Sequence, residues 1–297
     1  MRWVTLGRGR FWFWLYTLPA ILYVAVWRLG PALYTAWLSL TRYNIVYDTQ
    51  PRLNHLANYG ALLHDPSFWA SLRLSVEFAV IVTTIELLVG AAAAIFFDSD
   101  PPGRNLLLGI FLIPMIMAPV VVGTVWSALF DRSVGPIPYY LAVFHGPRIM
   151  WLATPQSAFF GLVIADAWEW TPLISLLLFS ALQTVPREHL EAARVDGAHG
   201  MRLFWHITLP QLTGMIVVAA GLRLMDAFLE FDKVFVMTGG GPGTSTQFVS
   251  MYVYKQAFNF YNMGYASTAI VALLLLLAVA YGIYLRSYSR MRMAAGA

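Results

Sequence analysis

Hydrophobic residues run in long blocks broken by few charges. No charged residue occurs between Arg104 and Asp131, or between Lys255 and Arg286, and both stretches are rich in Leu, Ile, Val and Ala. A helix crossing the hydrocarbon core of a bilayer needs about 20 largely apolar residues, so each stretch is long enough to span. Reading the rest of the chain in the same way, with isolated charges admitted, predicts six spans near 12–40, 69–97, 105–130, 158–182, 211–236 and 264–286. The expected fold class is therefore all-α and integral to a membrane, as a single transmembrane domain over 1–297. The first span contains Pro19 and Pro31 and is expected to kink or split, because proline removes a backbone donor that neighbouring helices must make good. It is too long and bulky for a cleaved signal peptide, and no small-x-small cleavage site follows promptly.

Composition narrows the classes. Of the residues, 59% are hydrophobic and 11% charged, against roughly 45–50% and about 25% in a soluble domain, so the chain cannot supply the polar surface of two soluble domains. The absence of cysteine excludes a disulfide framework, a thiolate nucleophile and a Cys-ligated metal. The net charge of +4 is spread thinly, without the basic run or aromatic-basic interleaving that tracks a phosphate backbone, and nucleic acid is not an expected partner. Basic residues sort by side: Arg2, Arg8, Arg10, Arg104, Arg187, Arg194, Arg202, Arg286, Arg290 and Arg292 collect on one, against Arg42, Arg52, Arg132, Arg148 and Lys255 on the other. Because Lys and Arg are retained on the cytoplasmic side, both termini and the 183–210 connection are expected there, in an inner-membrane, multi-pass protein. The opposite segments, 41–68 and 131–157, have room for short interfacial helices. Aromatic residues near span ends, such as Trp12, Trp14, Trp69, Trp151 and Tyr288, suit an interfacial belt in contact with lipid.

The connection between the fourth and fifth spans is the most informative segment. From Val185 to Ala198 it reads as a helix and a stop: Pro186 suits a first turn, Glu188 and Glu191 lie near the positive end of the dipole, and Gly197 can close the helix in the left-handed conformation. A second short element, Met201 to Ile207, is expected to end at Leu209-Pro210. Glu191-Ala192-Ala193, Gly197 after three residues, then Ile207-Thr208-Leu209-Pro210 after nine more match the EAA coupling motif of ABC-importer permeases. The chain resembles that family, whose permeases commonly have a six-helix core. Thr238-Gly239-Gly240-Gly241-Pro242 and Gly264-Tyr265-Ala266-Ser267 are similar to its carbohydrate-uptake branch, and the first span, with Pro31-Ala32-Leu33-Tyr34 and Ser39-Leu40-Thr41, is similar to the subunit that pairs with a second, non-identical permease.

That resemblance implies a type I importer permease moving a sugar or related polyol. Glu191, Ala192, Ala193, Asp196 and Gly197 would dock on an ATPase, and the partners would be a second permease, two ATP-binding subunits and an extracytoplasmic solute-binding protein. The permease would not be an enzyme and would hold no cofactor, ATP and Mg belonging to the ATPase. A P-loop needs a Gly-Lys step, yet Asp232 and Tyr254 precede the two lysines. The Gly-rich run at 239–243, on the external side, reads as a turn or a receptor-facing loop.

Intramembrane charges form a second set, since ionisable side chains in a span are costly and face the bundle interior or a water-filled route. Asp166, Glu169, Trp170 and Leu173 share one helical face, as do Arg223, Asp226, Ala227 and Glu230. Carboxylates, an arginine and an indole suit a polyol, offering partners for hydroxyls and a plane for the apolar face of a sugar. The resemblance implies a substrate route on these two helices. The same residues also admit a buried structural pair, with Arg223 neutralising Asp226 or Glu230. Asp232-Lys233 reads as an interfacial pair and Arg73-Glu77 as a helix-surface ion pair. Glu86 is open between a contact to the partner permease and a polar helix contact. The small residues from Gly90 to Ala94 suit close helix packing. His55, His64, His145, His189, His199 and His206 fall outside the spans without the pairing of a metal site.

Two rivals follow from other classes. An ion-coupled secondary transporter would use Asp166, Glu169, Asp226 and Glu230 to carry protons or sodium, but six spans, the lack of an inverted repeat and the full EAA pattern argue against it. An intramembrane enzyme would need a nucleophile with a base, or a metal cluster, within the spans, and none is visible. Trehalose, maltodextrin, glycerol and glycerol phosphate importers all use this scaffold, so the resemblance alone does not choose the substrate.

Overall fold

A computed structural model describes residues 4–185 and 200–295. Helix α1 (Val4–Val24) passes through a π-turn (Ala25–Leu29) into α2 (Gly30–Leu38). A two-stranded ribbon of β1 (Thr41–Arg42) and β2 (Arg52–Leu53) follows, antiparallel, with Thr41 opposite Leu53. Then come α3 (Ala57–Leu63), α4 (Pro66–Asp98), α5 (Arg104–Phe111), a 3-10 turn (Pro114–Ile116), α6 (Pro119–Leu129), α7 (Pro136–Val143) and α8 (Pro155–Leu182). Beyond residue 199, Met201–Leu203 and a π-turn (Phe204–Thr208) lead into α9 (Leu209–Phe228), α10 (Asp232–Met237), α11 (Val249–Tyr254) and α12 (Met263–Ala295).

Among the described residues, five helical stretches are long and apolar enough to cross a membrane: Trp12–Leu38, Pro66–Asp98, Pro155–Leu182, Leu209–Phe228 and Met263–Arg286. The expected span at 105–130 is present in pieces. Pro114 opens the 3-10 turn and Pro119 opens α6, with Ala118 held extended at φ −69° and ψ 136°, as proline requires of the residue before it. The first span absorbs Pro31 differently, through the π-turn that precedes it. Two boundaries differ from expectation. The fifth span stops at Phe228 rather than 236, and the chain restarts at Asp232, where the Glu230 carboxylate accepts the Lys233 backbone N–H at 2.9 Å. Nor does the chain break at Leu209-Pro210, because Pro210 sits in the first turn of α9 directly after a π-turn, where its missing donor is tolerated.

The chain divides into two compact units, Met1–Asp65 with Val253–Val279 and Pro66–Tyr252 with Ala280–Ala297. In the first unit, polar groups tie the start of α12 to the segment after α2. The Thr268 hydroxyl donates to the Ser39 carbonyl at 2.9 Å and Tyr265 donates to Asp65 at 3.0 Å. Gly264 passes so close to Thr41 that an added Cβ would strike its carbonyl, which accounts for the glycine of the Gly-Tyr-Ala-Ser segment. No part of the apolar stretch within Trp12–Leu38 is buried inside the chain, leaving its surface to lipid or to a partner.

The second unit is built on α4 and α8, which pack against each other and against α9. Ala94, Ile174, Leu178, Leu182, Leu212 and Ala219 form their shared apolar core. Thr154 and Ser157 form a capping box that starts α8. Trp126 and Trp168 hold α6 to α8 at 5.9 Å between centroids, and Phe130, just after α6, stacks at 4.5 Å on Trp151 in the segment before α8. In the loop after α6, Asp131 accepts the backbone N–H groups of Ser133 and Val134 at 2.8 and 3.0 Å, which hold its carboxyl below the usual range.

The α4–α8 contact depends on Gly90, where an added Cβ would lie 2.7 Å from Ile174 Cγ2 and 3.2 Å from the Ser175 backbone nitrogen. In lipid, helix association relies on such close approach. Gly90→Leu should therefore lower the thermal stability of the purified protein by about 1–3 kcal/mol through overpacking. Gly214→Ala, with nothing within 4 Å of the new Cβ, should be neutral or stabilising by up to about 1 kcal/mol. Equal effects in a melting experiment would contradict the packing role of Gly90.

Candidate functional site

Charged side chains from four helices of the second unit, and from one turn between them, converge in one place. Glu86 comes from α4, Asp166 and Glu169 from α8, and Arg223 and Asp226 from α9. Glu230 lies in the turn after α9, and Lys233 in the first turn of α10. Their helical spacing explains the convergence: Asp166 and Glu169 are three apart, as are Arg223 and Asp226, so each pair projects from one face. The break after Phe228 turns the chain back, and the Glu230 carboxylate fixes the restart of α10 so that Lys233 points inward.

Arg223 forks onto Glu86, its Nε 2.7 Å from Oε2 and its Nη2 2.8 Å from Oε1. The same Nη2 donates to Asp166 Oδ2 at 2.6 Å, and Nη1 donates to Asp226. This is the planar, multidentate recognition for which guanidinium is suited. The Lys233 ammonium donates to Glu169 Oε2 at 2.6 Å and lies within ion-pair distance of Asp166 Oδ1 and Glu230 Oε2, each at 2.9 Å. Asp166 is thus shared by both cations. Arg223, Lys233, Glu86, Asp166 and Glu169 are each at most 2% exposed and Glu230 is 8% exposed.

The cluster has an open rim. The Asp226 side chain is 58% exposed, Trp170 and Leu173 are half-buried, and the Arg223 guanidinium lies 5.0 Å from the centroid of the Trp170 ring, a cation–π contact. Ala227 is buried beneath the rim. The arrangement can present an aromatic plane and one carboxylate while both cations stay occupied underneath.

The structure brings together Asp166, Glu169, Trp170, Arg223, Asp226 and Glu230. It also adds two residues that were not among those expected on the route. Glu86, open between two roles, is a polar helix contact to Arg223. Lys233, expected at an interface beside Asp232, is fully buried and bridges three carboxylates, because the helix break redirects it. The available signal was its place three residues after Glu230, inside an apolar segment of a chain with two lysines. The Arg73-Glu77 pair forms at the surface of α4, at 3.2 Å. Glu191, Ala192, Ala193, Asp196 and Gly197 lie outside the described residues. Among the described residues, no group of His, Asp or Glu is arranged to hold a metal ion.

Residues 86–293 match the family of the binding-protein-dependent transport system inner membrane component. The chain is 36% identical over 250 residues to the trehalose/maltose transport system permease protein MalF of Thermococcus litoralis, covering 84% of this chain and 83% of that one. It is 33% identical over 271 residues to the trehalose transport system permease protein SugA of Mycobacterium tuberculosis, covering 91% and 86%. Its fold is similar to that of a chain in a bacterial ABC transporter involved in import of the acidic polysaccharide alginate, at a TM-score of 0.84 and 16% identity over 98% of this chain and 99% of that one. It is equally similar, at a TM-score of 0.84 and 16% identity, to a chain of a bacterial alginate ABC transporter in complex with an alginate pentasaccharide-bound periplasmic protein. A family match over most of its length, with such relatives along more than four fifths of it, means that the chain belongs to the inner membrane components of binding-protein-dependent transport systems.

Proposed function

We propose that the protein is the membrane permease of an ATP-driven importer that takes a neutral sugar, such as trehalose or maltose, from an external solute-binding protein into the cytoplasm. The observation that carries the sugar class is the division of the site into an occupied base and an open rim. Arg223 and Lys233 are committed to carboxylates, so the base has no uncommitted cation for an acidic cargo. Trp170, Leu173 and Asp226 offer a ring plane, an apolar contact and an acceptor for hydroxyls. Asp166, Glu169, Arg223, Ala227 and Glu230 then serve the route from behind, by holding that rim in place. The ion-coupled alternative gives way to the family membership.

ATP hydrolysis is assigned to two separate ATP-binding subunits, with ATP and Mg held there, since neither lysine of this chain follows a glycine as a P-loop requires. A second, non-identical permease completes the pathway. The sorting of basic residues supports cytoplasmic termini and a cytoplasmic 183–210 connection within a single permease domain. Glu191, Ala192, Ala193, Asp196 and Gly197 dock on the ATPase, and closure of the two ATPases tilts the helices joined to that segment. The described residues bordering it suit such a transfer: Gln183 donates to Asp98 at 2.5 Å, and Arg104 lies 5.9 Å from the centroid of the Phe179 ring, tying the end of α8 to the end of α4 and the start of α5.

Uptake of labelled trehalose and maltose by proteoliposomes holding the complete complex tests this function. Trp170→Ala and Asp226→Asn should assemble normally and reduce uptake roughly 5- to 150-fold, the effect of about 1–3 kcal/mol at one polar contact. Asp166→Ala should instead destabilise the protein by about 3–5 kcal/mol, because it leaves two buried cations short of a partner. Normal uptake by both rim variants would place the route elsewhere.

Coupling is tested in the same vesicles. Glu191→Ala should weaken association with the ATPase, and Gly197→Val should distort the docking segment by denying it a positive φ. Both should abolish stimulation of ATP hydrolysis by the loaded binding protein, while leaving sugar binding by that protein unchanged. Wild-type stimulation and flux in both variants would refute the docking role.

A further inference from the structure

A cavity of about 460 Å³ lies between the first half of α4, the start of α8 and the loop after the Gly-rich run, at the opposite end of α8 from the segment assigned to coupling. Its size falls within the range of small-ligand sites, about 300–1,000 Å³. Nothing in the central cluster uses it.

Its lining has the chemistry of a saccharide site. Phe160 is 52% exposed and meets Phe159 edge to face at 5.8 Å. Phe159 is in turn held against Phe78 and Phe248, so the aromatic wall is fixed from behind. Opposite stand the ion-paired Arg73 and Glu77, with side chains 75% and 47% exposed. Charges on a membrane helix are costly against lipid, so that face of α4 meets water or polar groups. Donors and acceptors facing a rigid aromatic surface suit a ring that is hydroxylated at its edges and apolar on its face.

The Gly-rich segment supplies the third wall. Gly239, Gly240 and Gly243 adopt positive φ of 58°, 89° and 61°, which glycine allows without strain. The buried Thr246 hydroxyl then donates to Thr238 Oγ1 at 2.8 Å and lies 2.7 Å from the Gly241 carbonyl. These bonds present Thr244 and Ser245 to the cavity. Ser245 lines the cavity, and its hydroxyl has no hydrogen-bond partner among the described residues.

Phe159, Asp166, Trp170 and Leu173 follow steps of seven, four and three, which keep them on one face of α8. Phe159, part of the cavity wall, thus stands at the outer end of the stripe that carries the rim of the central site. We propose that this cavity is an outer station for a neutral di- or oligosaccharide, holding sugar released by the binding protein before it reaches Trp170. The station rests on the route proposed above.

Because the chain has no cysteine, Thr244→Cys gives a single reporter on an exposed loop. The variant is assembled with its partners in proteoliposomes and labelled from outside with an impermeant maleimide. The probe is trehalose or maltose, whichever the same vesicles import. The sugar alone should slow labelling several-fold, Phe160→Ala should remove the protection, and Trp170→Ala should leave it. Labelling indifferent to a sugar that is transported would overturn the station while leaving the transport reading intact. So would a cysteine blocked in the assembled complex without sugar, which marks a partner interface, or protection that only the unloaded binding protein confers, which marks a protein-docking surface. Loss of protection in Trp170→Ala would also overturn it, by assigning the signal to the central site.

Discussion

Two cations meet on one carboxylate. Asp166 receives Arg223 on one oxygen at 2.6 Å and Lys233 on the other at 2.9 Å, in a position with no solvent exposure. Buried charges persist only while each keeps its partners, and removing one partner typically costs about 3–5 kcal/mol. Since the partners come from α4, α8, α9, the turn after it and α10, this requirement fixes five parts of the second unit relative to one another. The close contact over Gly90 and the approach of α10 to Gly123 on α6, where an added Cβ would lie 3.4 Å from the Lys233 Cα, are the packing that accompanies it.

The same constraint sets what the site can offer a substrate. Four buried carboxylates, Glu86, Asp166, Glu169 and Glu230, surround two buried cations, and the Lys233 ammonium lies within 2.9 Å of three of them. On the proposed route, direct contact would fall to the rim, above all to Trp170, which rests beside the Arg223 guanidinium, and to Asp226, which pairs with Arg223. A rim fixed by charges that cannot leave can recognise a neutral sugar without reorganising, the condition under which weak polar contacts are most effective.

Much of this was legible in the sequence because the cues were local. Uncharged stretches gave the spans, and steps of three and four placed Asp166, Glu169, Arg223 and Asp226 on common faces. The EAA pattern identified the family through residues that lie outside the described structure. What was not legible depended on tertiary geometry. The span at 105–130 looks continuous by hydropathy, yet Pro114 and Pro119 divide it. Lys233 follows an acidic residue near the expected end of a span, a position that reads as interfacial until the helix is seen to stop at Phe228. Glu86 is 137 residues from Arg223, and no periodicity within one helix reveals a partner on another.

Asp166 and Lys233 act energetically as one unit, and a double-mutant cycle measures their coupling. Asp166→Asn, Lys233→Met and the double variant are purified in detergent, and their unfolding free energies are compared with that of the wild-type chain. The account predicts that the double variant is more stable than the sum of the single effects implies, with a coupling of about 1–3 kcal/mol, because each single change strands the group that the other removes. Effects that add to within about 0.5 kcal/mol, as for independent sites, would contradict it.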